Sequence, residues 1–367
     1  MLRHYTIITK CITDGTLVPF LGAGANLCGR PSEAVWRHGA KYLPSGRELA
    51  ALLAHDFYFP LEEVKLRCPT PLSNGELCNA ELTLHCPSCK RDVQVWEEAK
   101  DLLRIAQYVA NYVGSRDLYD NLHKVFAADY PPTPLHRFLA TLPANLEKKG
   151  YPHELLVVTT NYDDLMEQAF QEAKQPFDVV TYVALGEHRG RFLYCPFQGK
   201  PVLIEDPNNY ADLLKQRPVI LKIHGAINRT PVVNRIPLEK DSYVIAEDDY
   251  IDYLAHFDIH KVLPKSLLSK LMDSHLLFLG YSLSDWNLRV ILRRIWSEQD
   301  FNSNSWAIQR KSRETDQQFE IDRKIWSNRG VNILDVSLDE YVAEIQKRIA
   351  NLKPVPVPKP PPVPIPA

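Results

Sequence analysis

Four short apolar runs, each ending in small or polar residues, constrain this chain more than any other feature. They are Leu17 to Gly24, Leu155 to Asp164, Val219 to Gly225 and Leu276 to Ser282. The second, Leu155-Leu156-Val157-Val158-Thr159-Thr160-Asn161-Tyr162-Asp163-Asp164, begins with an apolar stretch too short for a helix. It then passes into Leu165-Met166-Glu167-Gln168-Ala169-Phe170, where apolar residues return at helical spacing. The segment therefore reads as strand, loop, helix. In an open parallel sheet, ligands sit just beyond the carboxyl ends of the strands, so Asn161 and Asp163 stand where such a sheet keeps its chemistry. Four run ends of the same grammar point to one shared site.

The first strand, Leu17 to Leu21, follows an amphipathic helix over Leu2 to Thr13 and runs into Gly22-Ala23-Gly24-Ala25-Asn26. Glycines here allow a tight turn and a close approach of backbone to a pyrophosphate, whose charge the next helix N-terminus can receive. Leu27 occupies the place of the third glycine in a full dinucleotide fingerprint, so a plain tight turn remains the other reading. Ser45 and Glu48 have capping-box spacing ahead of another helix. Helical periodicity also marks Val93 to Val113, Leu118 to Phe126 and Pro134 to Leu142, which together make a mainly helical insertion over about residues 43–146, expected to cover the site. A strand over Asp178 to Val183 follows, then a stretch from Gly186 to Arg217 with no clear period. Helices are expected over Asp248 to Ala255 and Lys261 to Met272. Two strand-helix units, Ser305 to Trp326 and Val331 to Ile349, close the folded part. This alternation favours an α/β fold with a Rossmann-like parallel sheet.

Within the insertion, the segment 68–89 holds Cys68, Cys78, Cys86 and Cys89, the last two as a C-x-x-C knuckle. Four thiolates would close a tetrahedral zinc site that staples a loop and leaves no position open for chemistry; four reduced thiols are the alternative. Seven cysteines, an odd number in a chain that opens without a continuous apolar signal core, fit thiols or metal ligands better than a disulfide framework. His224 directly follows the strand Val219 to Ile223; it is either a satisfied structural histidine or, beside the other strand ends, a base. The proline-rich tail, residues 353–367, is expected as extended polyproline, either a frayed end or a docking segment. A formal charge of −2 implies no phosphate-tracking surface, so direct nucleic-acid binding is not expected. No apolar run is long enough to span a bilayer, which leads to an expectation of a cytoplasmic protein.

Gly22-Ala23-Gly24, Thr159-Thr160-Asn161-Tyr162-Asp163, Lys222-Ile223-His224-Gly225 and Gly280-Tyr281-Ser282 occur in the order seen in sirtuins. With Leu43 to Ala50 and Pro132-Thr133-Pro134-Leu135-His136, the chain more closely resembles the bacterial sirtuin-like NAD hydrolases of anti-phage defence, over most of residues 1–352. By position, the resemblance implies that Asn161 holds the nicotinamide ribose or the attacking water and that His224 acts as base on a ribose hydroxyl. It sets Asp163 against the nicotinamide carboxamide. Gly22, Ala23, Gly24, Gly280 and Ser282 would line the phosphates and adenosine, and Asn26 and Asp285 complete the cofactor-binding set. NAD is then a substrate, cleaved without a catalytic metal. The resemblance further implies a homo-oligomer controlled by a partner in trans, an ATPase or an Argonaute-like protein; the tail lies outside the resemblance and is expected as the tether because it is extended, exposed and outside the fold.

Two departures bear on the chemistry. Sirtuin deacylases carry a serine shortly after the glycine turn, where this chain has Asn26-Leu27-Cys28, and they place their zinc cysteines after the His-Gly motif, whereas here the cysteines precede the central strand. The first departure leaves part of the nicotinamide pocket unassigned, and the displaced cysteines favour NAD hydrolysis over lysine deacylation. A non-catalytic NAD or ADP-ribose sensor is the remaining alternative, although a sensor has no need of a base.

Overall fold

A computed structural model describes residues 2–31, 33–60, 101–227, 241–256, 259–281, 292, 305–310 and 316–356. The strands are β1 (Leu17–Leu21), β2 (Leu156–Thr159), β3 (Asp178–Tyr182), β4 (Phe192–Cys195), β5 (Val202–Leu203), β6 (Val219–Lys222), β7 (Gly225–Ala226), β8 (Ser242–Tyr243), β9 (His275–Leu279), β10 (Ser305–Ile308) and β11 (Val331–Leu334). Nine of them form one sheet in the order β11-β10-β9-β1-β2-β6-β3-β4-β5. Pairing is parallel from β11 through to β3, and β4 and β5 add an antiparallel edge. That edge lies in the stretch whose sequence has no clear period. β4 is buried only at its ends, and β5 has two residues, so neither produces the long apolar signature of the central strands.

Helices cover both faces, which is why the central strands are apolar except at their ends. On one face Val18, Phe20, Val158, Leu221 and Phe278 pack with Tyr253, Leu263, Leu267 and Trp326. These last four come from α8 (Glu247–His256), the segment after α9 (Ile259–Val262), α10 (Lys265–Asp273) and α11 (Asp316–Ser327), and α7 (Leu213–Gln216) adds Leu213 and Leu214 to the same cluster. The expected single helix over Lys261 to Met272 is broken at Pro264, which serves as the N-cap of α10. On the other face Leu21, Val157, Ile220 and Leu279 pack with Ile8, Leu139, Phe170 and Ile345. Those residues belong to α1 (Leu2–Thr13), α5 (Pro134–Glu147), α6 (Leu165–Glu172) and α12 (Leu338–Ala350).

A third cluster joins α2 (Gly46–Asp56), α3 (Leu102–Tyr108), a π-helical turn over Val109–Gly114 and α4 (Ser115–Phe126) to Ile227, Tyr243 and Ile245 around the β7–β8 ribbon. The capping box of Ser45 and Glu48 is formed, and Glu48 also takes a bidentate contact from Arg30. The helical block thus stands on the chain that follows His224. α5, expected in the same block, lies on the sheet against α6 and α12. The segment 61–100, with Cys68, Cys78, Cys86 and Cys89, lies outside the described residues, as do Ser282 and Asp285. Among the described residues no helix is long and apolar enough to cross a membrane. No group of three or more His, Cys, Asp or Glu side chains among them could hold a metal ion.

Candidate active site

Register brings the sequence-predicted residues together. Leu279 pairs with Leu21, Leu21 with Thr159, and Thr159 with Lys222, so the ends of β9, β1, β2 and β6 stand in one row across the sheet. Three inter-strand gaps make this row roughly 14 Å long. Just beyond it come Gly280, Gly22, Asn161 and His224, on four neighbouring strand ends. The chain leaves β1 toward β2 and later returns to β9 on the other side of β1, so this edge is the topological switch point at which open α/β sheets bind ligands.

The two glycine turns fit into each other. Gly22 N donates to Leu279 O at 3.0 Å and Gly24 N to Gly280 O at 2.8 Å. Gly280 has φ +73°, and a Cβ on it would lie 2.0 Å from Ala25 N. After Gly22 the chain forms a five-residue 3-10 helix, Ala23–Leu27.

The loop after β2 is tied at each residue. Asn161 N donates to Thr159 Oγ1 at 3.0 Å, and its side-chain Nδ2 donates to Gly22 O at 3.1 Å and more loosely to Asn26 Oδ1 at 3.5 Å. With Nδ2 committed to protein acceptors, Oδ1 is the atom through which Asn161 can meet a ligand. Tyr162 accepts from Ile227 N through its carbonyl and donates its hydroxyl to Val244 O, which locks the loop to the β7–β8 ribbon. Asp163 accepts Asn26 Nδ2 at 2.8 Å on one oxygen and Leu165 N at 3.1 Å on the other. Both oxygens are therefore engaged by protein. Asn26, Asn161, Asp163 and His224 are all buried. Tyr281 donates its hydroxyl to Thr160 Oγ1 at 2.5 Å and closes the row from the β9 side.

His224 is held by its neighbours' rings and by its own backbone. Its carbonyl accepts Val244 N, and Gly225, at φ +84°, brings the chain within 2.0 Å, measured from a hypothetical Cβ, of Ser242 O across the ribbon. The imidazole packs edge-on against Tyr250 and Tyr253, with ring centroids 5.3 and 5.6 Å away, and Nδ1 is 3.5 Å from the Tyr250 hydroxyl. Nε2 is buried and has no hydrogen-bond partner among the described residues. Burial pushes the imidazole from its ordinary 6.5 down to about 3, so His224 is neutral at physiological pH and can accept a hydrogen bond; the same burial opposes protonation, so a base role at His224 requires bound substrate to supply polar surroundings for the imidazolium. An orphaned buried nitrogen costs on the order of 1–3 kcal/mol, a cost that a ligand hydroxyl reaching it would relieve.

A groove of about 830 Å³ opens between the π-helical turn, α4 and the start of α8. Asp120, Asp241, Asp248 and Asp249 outnumber Arg116 in its lining, which disfavours a pyrophosphate there. Two buried residues at the site were given no role in the sequence reading: Lys222, whose ammonium contacts the Asp163 carbonyl and lies 2.8 Å from Glu167 Oε1, and Glu167 itself. The signal was present, because a lysine at the end of an otherwise apolar strand must find a counter-charge.

A family model described as SIR2-like domain matches residues 155–334, which span β2 to β11. Defense-associated sirtuin 2 of Bacillus subtilis is 25% identical over 194 residues, covering 52% of this chain and 15% of that protein. NAD(+) hydrolase ThsA of Acinetobacter baumannii is 28% identical over 201 residues, 54% of this chain and 32% of that one. ThsA of Bacillus cereus is 26% identical over 266 residues, 68% of this chain and 46% of that one. The chain spans less than half the length of these curated relatives.

Proposed function

We propose that this chain, sirtuin-like across its SIR2-like domain, hydrolyses NAD to nicotinamide and ADP-ribose as an effector of anti-phage defence. The observation that carries the reading is the row of strand ends on which Asn161 and His224 stand side by side, with an orphaned, neutral His224 Nε2. In the reaction the bond between ribose C1′ and the nicotinamide nitrogen breaks and nicotinamide leaves with the electron pair. Water adds its oxygen to C1′ and gives up a proton. The transition state is oxocarbenium-like, so it needs a positioned polar shell and an acceptor for a hydroxyl or water proton. Asn161 Oδ1 orients the water or the ribose, and His224 accepts the proton. Asp163 and Asn26 hold Asn161, and the Gly22–Gly24 and Gly280 turns, with Ala23, Ser282 and Asp285, border the rest of the dinucleotide.

Asn161→Ala and His224→Ala should each lower nicotinamide release by about a hundredfold or more while the protein stays folded. Purified protein is incubated with NAD, with and without an acylated peptide, and nicotinamide and ADP-ribose are measured. Near-normal turnover in folded His224→Ala sinks the base assignment. Peptide-dependent release would turn the reading to a deacylase, and tight binding without release to a sensor.

The same proposal extends to control and to metal. A chain that empties a cell of NAD requires restraint, so it acts as a homo-oligomer governed by a partner in trans, an ATPase or an Argonaute-like protein. Cys68, Cys78, Cys86 and Cys89 bind one zinc that staples their segment and takes no part in the chemistry.

A further inference from the structure

Lys222 is 1% exposed at the end of a strand buried on both faces, two residues before His224. Its ammonium has two partners: Glu167 Oε1 at 2.8 Å, from the first turn of α6, and the backbone carbonyl of Asp163. Glu167 is equally buried, and burial raises its carboxyl above the ordinary range against the pull of Lys222. Desolvating such a pair costs several kcal/mol per ion, and well-packed apolar side chains of the same volume commonly do as well or better for stability. Stability alone is therefore a poor account of a lysine here. An apolar pair could not donate to the Asp163 carbonyl, however, and that carbonyl belongs to the loop that carries Asn161. The Asp163 side chain faces the other way, onto Asn26 and Leu165 N, and Asn26 in turn touches Asn161. A continuous line of polar contacts runs from the buried ion pair to the glycine turn beneath the candidate site.

We propose that Lys222, with Glu167 as its counter-ion, is a positioning residue that fixes the loop Asn161–Asp164 so that Asn161 faces the cleft beside His224. The inference rests on the hydrolase reading for its kinetic readout. It is tested with a Lys222→Met, Glu167→Leu double variant of the full chain, which keeps the volume and removes both charges. Calorimetric titration with ADP-ribose counts intact sites, so turnover is expressed per titrated site and partial unfolding cannot imitate a positioning defect. The expected result is unchanged stoichiometry, KM for NAD within threefold, and kcat per titrated site about thirtyfold lower, as a misplacement on the order of 1 Å produces. A Lys222→Gln, Glu167→Gln pair, neutral but with an N–H donor toward Asp163 O, should keep kcat within about tenfold of the parent. The inference is overturned if the apolar pair keeps kcat per titrated site within threefold. Should the apolar pair not fold, the Gln pair decides, and a loss well beyond tenfold overturns the inference. A parent that binds NAD but releases no nicotinamide removes the hydrolase reading. The inference is then decided by hydrogen exchange of the amides of residues 161–164: faster exchange in the apolar pair than in the Gln pair supports it, and parental exchange in the apolar pair overturns it.

Discussion

Replacing Gly280 by alanine tests the joint between the two glycine turns. The residue sits at φ +73°, where an L side chain costs roughly 1–2 kcal/mol. The new methyl would lie 2.0 Å from Ala25 N and 2.3 Å from Gly24 C, and since both are backbone atoms no side-chain rotation can relieve the contact. Overpacking of this kind typically costs a further 1–3 kcal/mol, for a total of roughly 2–5 kcal/mol. Gly39 supplies the control: its φ is +84°, and a Cβ there meets nothing within 4 Å, so Gly39→Ala carries the conformational cost alone. Domains are stable by about 5–15 kcal/mol, so both variants should fold. Gly280→Ala should melt on the order of 10 °C below the parent and Gly39→Ala only a few degrees below it. Because the clash pushes the Gly22–Asn26 turn away from β9, Gly280→Ala should also lose at least tenfold in NAD affinity, and Gly39→Ala should lose none. Thermal melts and titration calorimetry read both effects. Equal melting shifts in the two variants, or NAD affinity kept in Gly280→Ala, would refute the reasoning.

Acid should destabilise the protein earlier than its carboxylates require. Burial holds His4 and His136 at about 4 and His224 at about 3, so between pH 6.5 and 4 the unfolded chain binds protons that the native one refuses. Stability is full above pH 6.5 and should fall as pH drops through this window by up to about 1.4 kcal/mol per pH unit for each histidine; a flat urea-denaturation profile from pH 7 to 5 would contradict it. Val355 N donates to Lys149 O and Tyr151 donates to Lys353 O, so truncation after Pro356 should leave the melting temperature unchanged. Removal from Lys353 onward should cost about 1–3 kcal/mol, measurable in the same melts. If the truncated chain keeps its oligomer and its activation by a partner, the tail is not the tether. A Cys86→Ser, Cys89→Ser variant should contain less zinc than the parent by elemental analysis; a metal-free, active parent would leave the four cysteines as plain thiols.

The parallel sheet was legible because its central strands are buried on both faces, and an unbroken apolar run as short as Leu155 to Val158 suits a doubly covered strand better than any half-exposed element. The convergence of Asn161, His224 and the glycine turns followed from the same grammar, since strands in register end in register. Edge elements left weaker marks. Val202 is half exposed on the two-residue β5, so the antiparallel edge follows no alternation that a window could detect. The ties that hold the site were illegible for a different reason. Asn26 meets Asp163 across 137 positions of sequence, and Tyr162 meets Val244 across 82, and no local pattern encodes such pairs. Lys222 lies between these cases: its sequence context declared it buried, but its partner Glu167 sits on a helix whose periodicity a glutamate does not disturb.

The glycine turn explains why the dinucleotide fingerprint is incomplete. In the full fingerprint the third glycine allows a long helix to pack closely on the strand it follows, and the amides at that helix's start receive the pyrophosphate. Here the segment after β1 is a five-residue 3-10 helix, and Leu27 at its end is half buried. The amides of Gly22, Gly24 and Ala25 donate to Leu279 O, Gly280 O and Gly22 O. Gly22 and Gly24 therefore serve chiefly to let two backbones touch: a Cβ on Gly22 would meet Gly280 O at 2.8 Å, and one on Gly24 would meet it at 2.7 Å. A turn in which the Gly22, Gly24 and Ala25 amides are already engaged, with only a short helical dipole behind it, draws an anion weakly. On the proposed hydrolase reading, NAD at this edge is held chiefly at its ribose and nicotinamide end, where His224 Nε2 has no hydrogen-bond partner among the described residues.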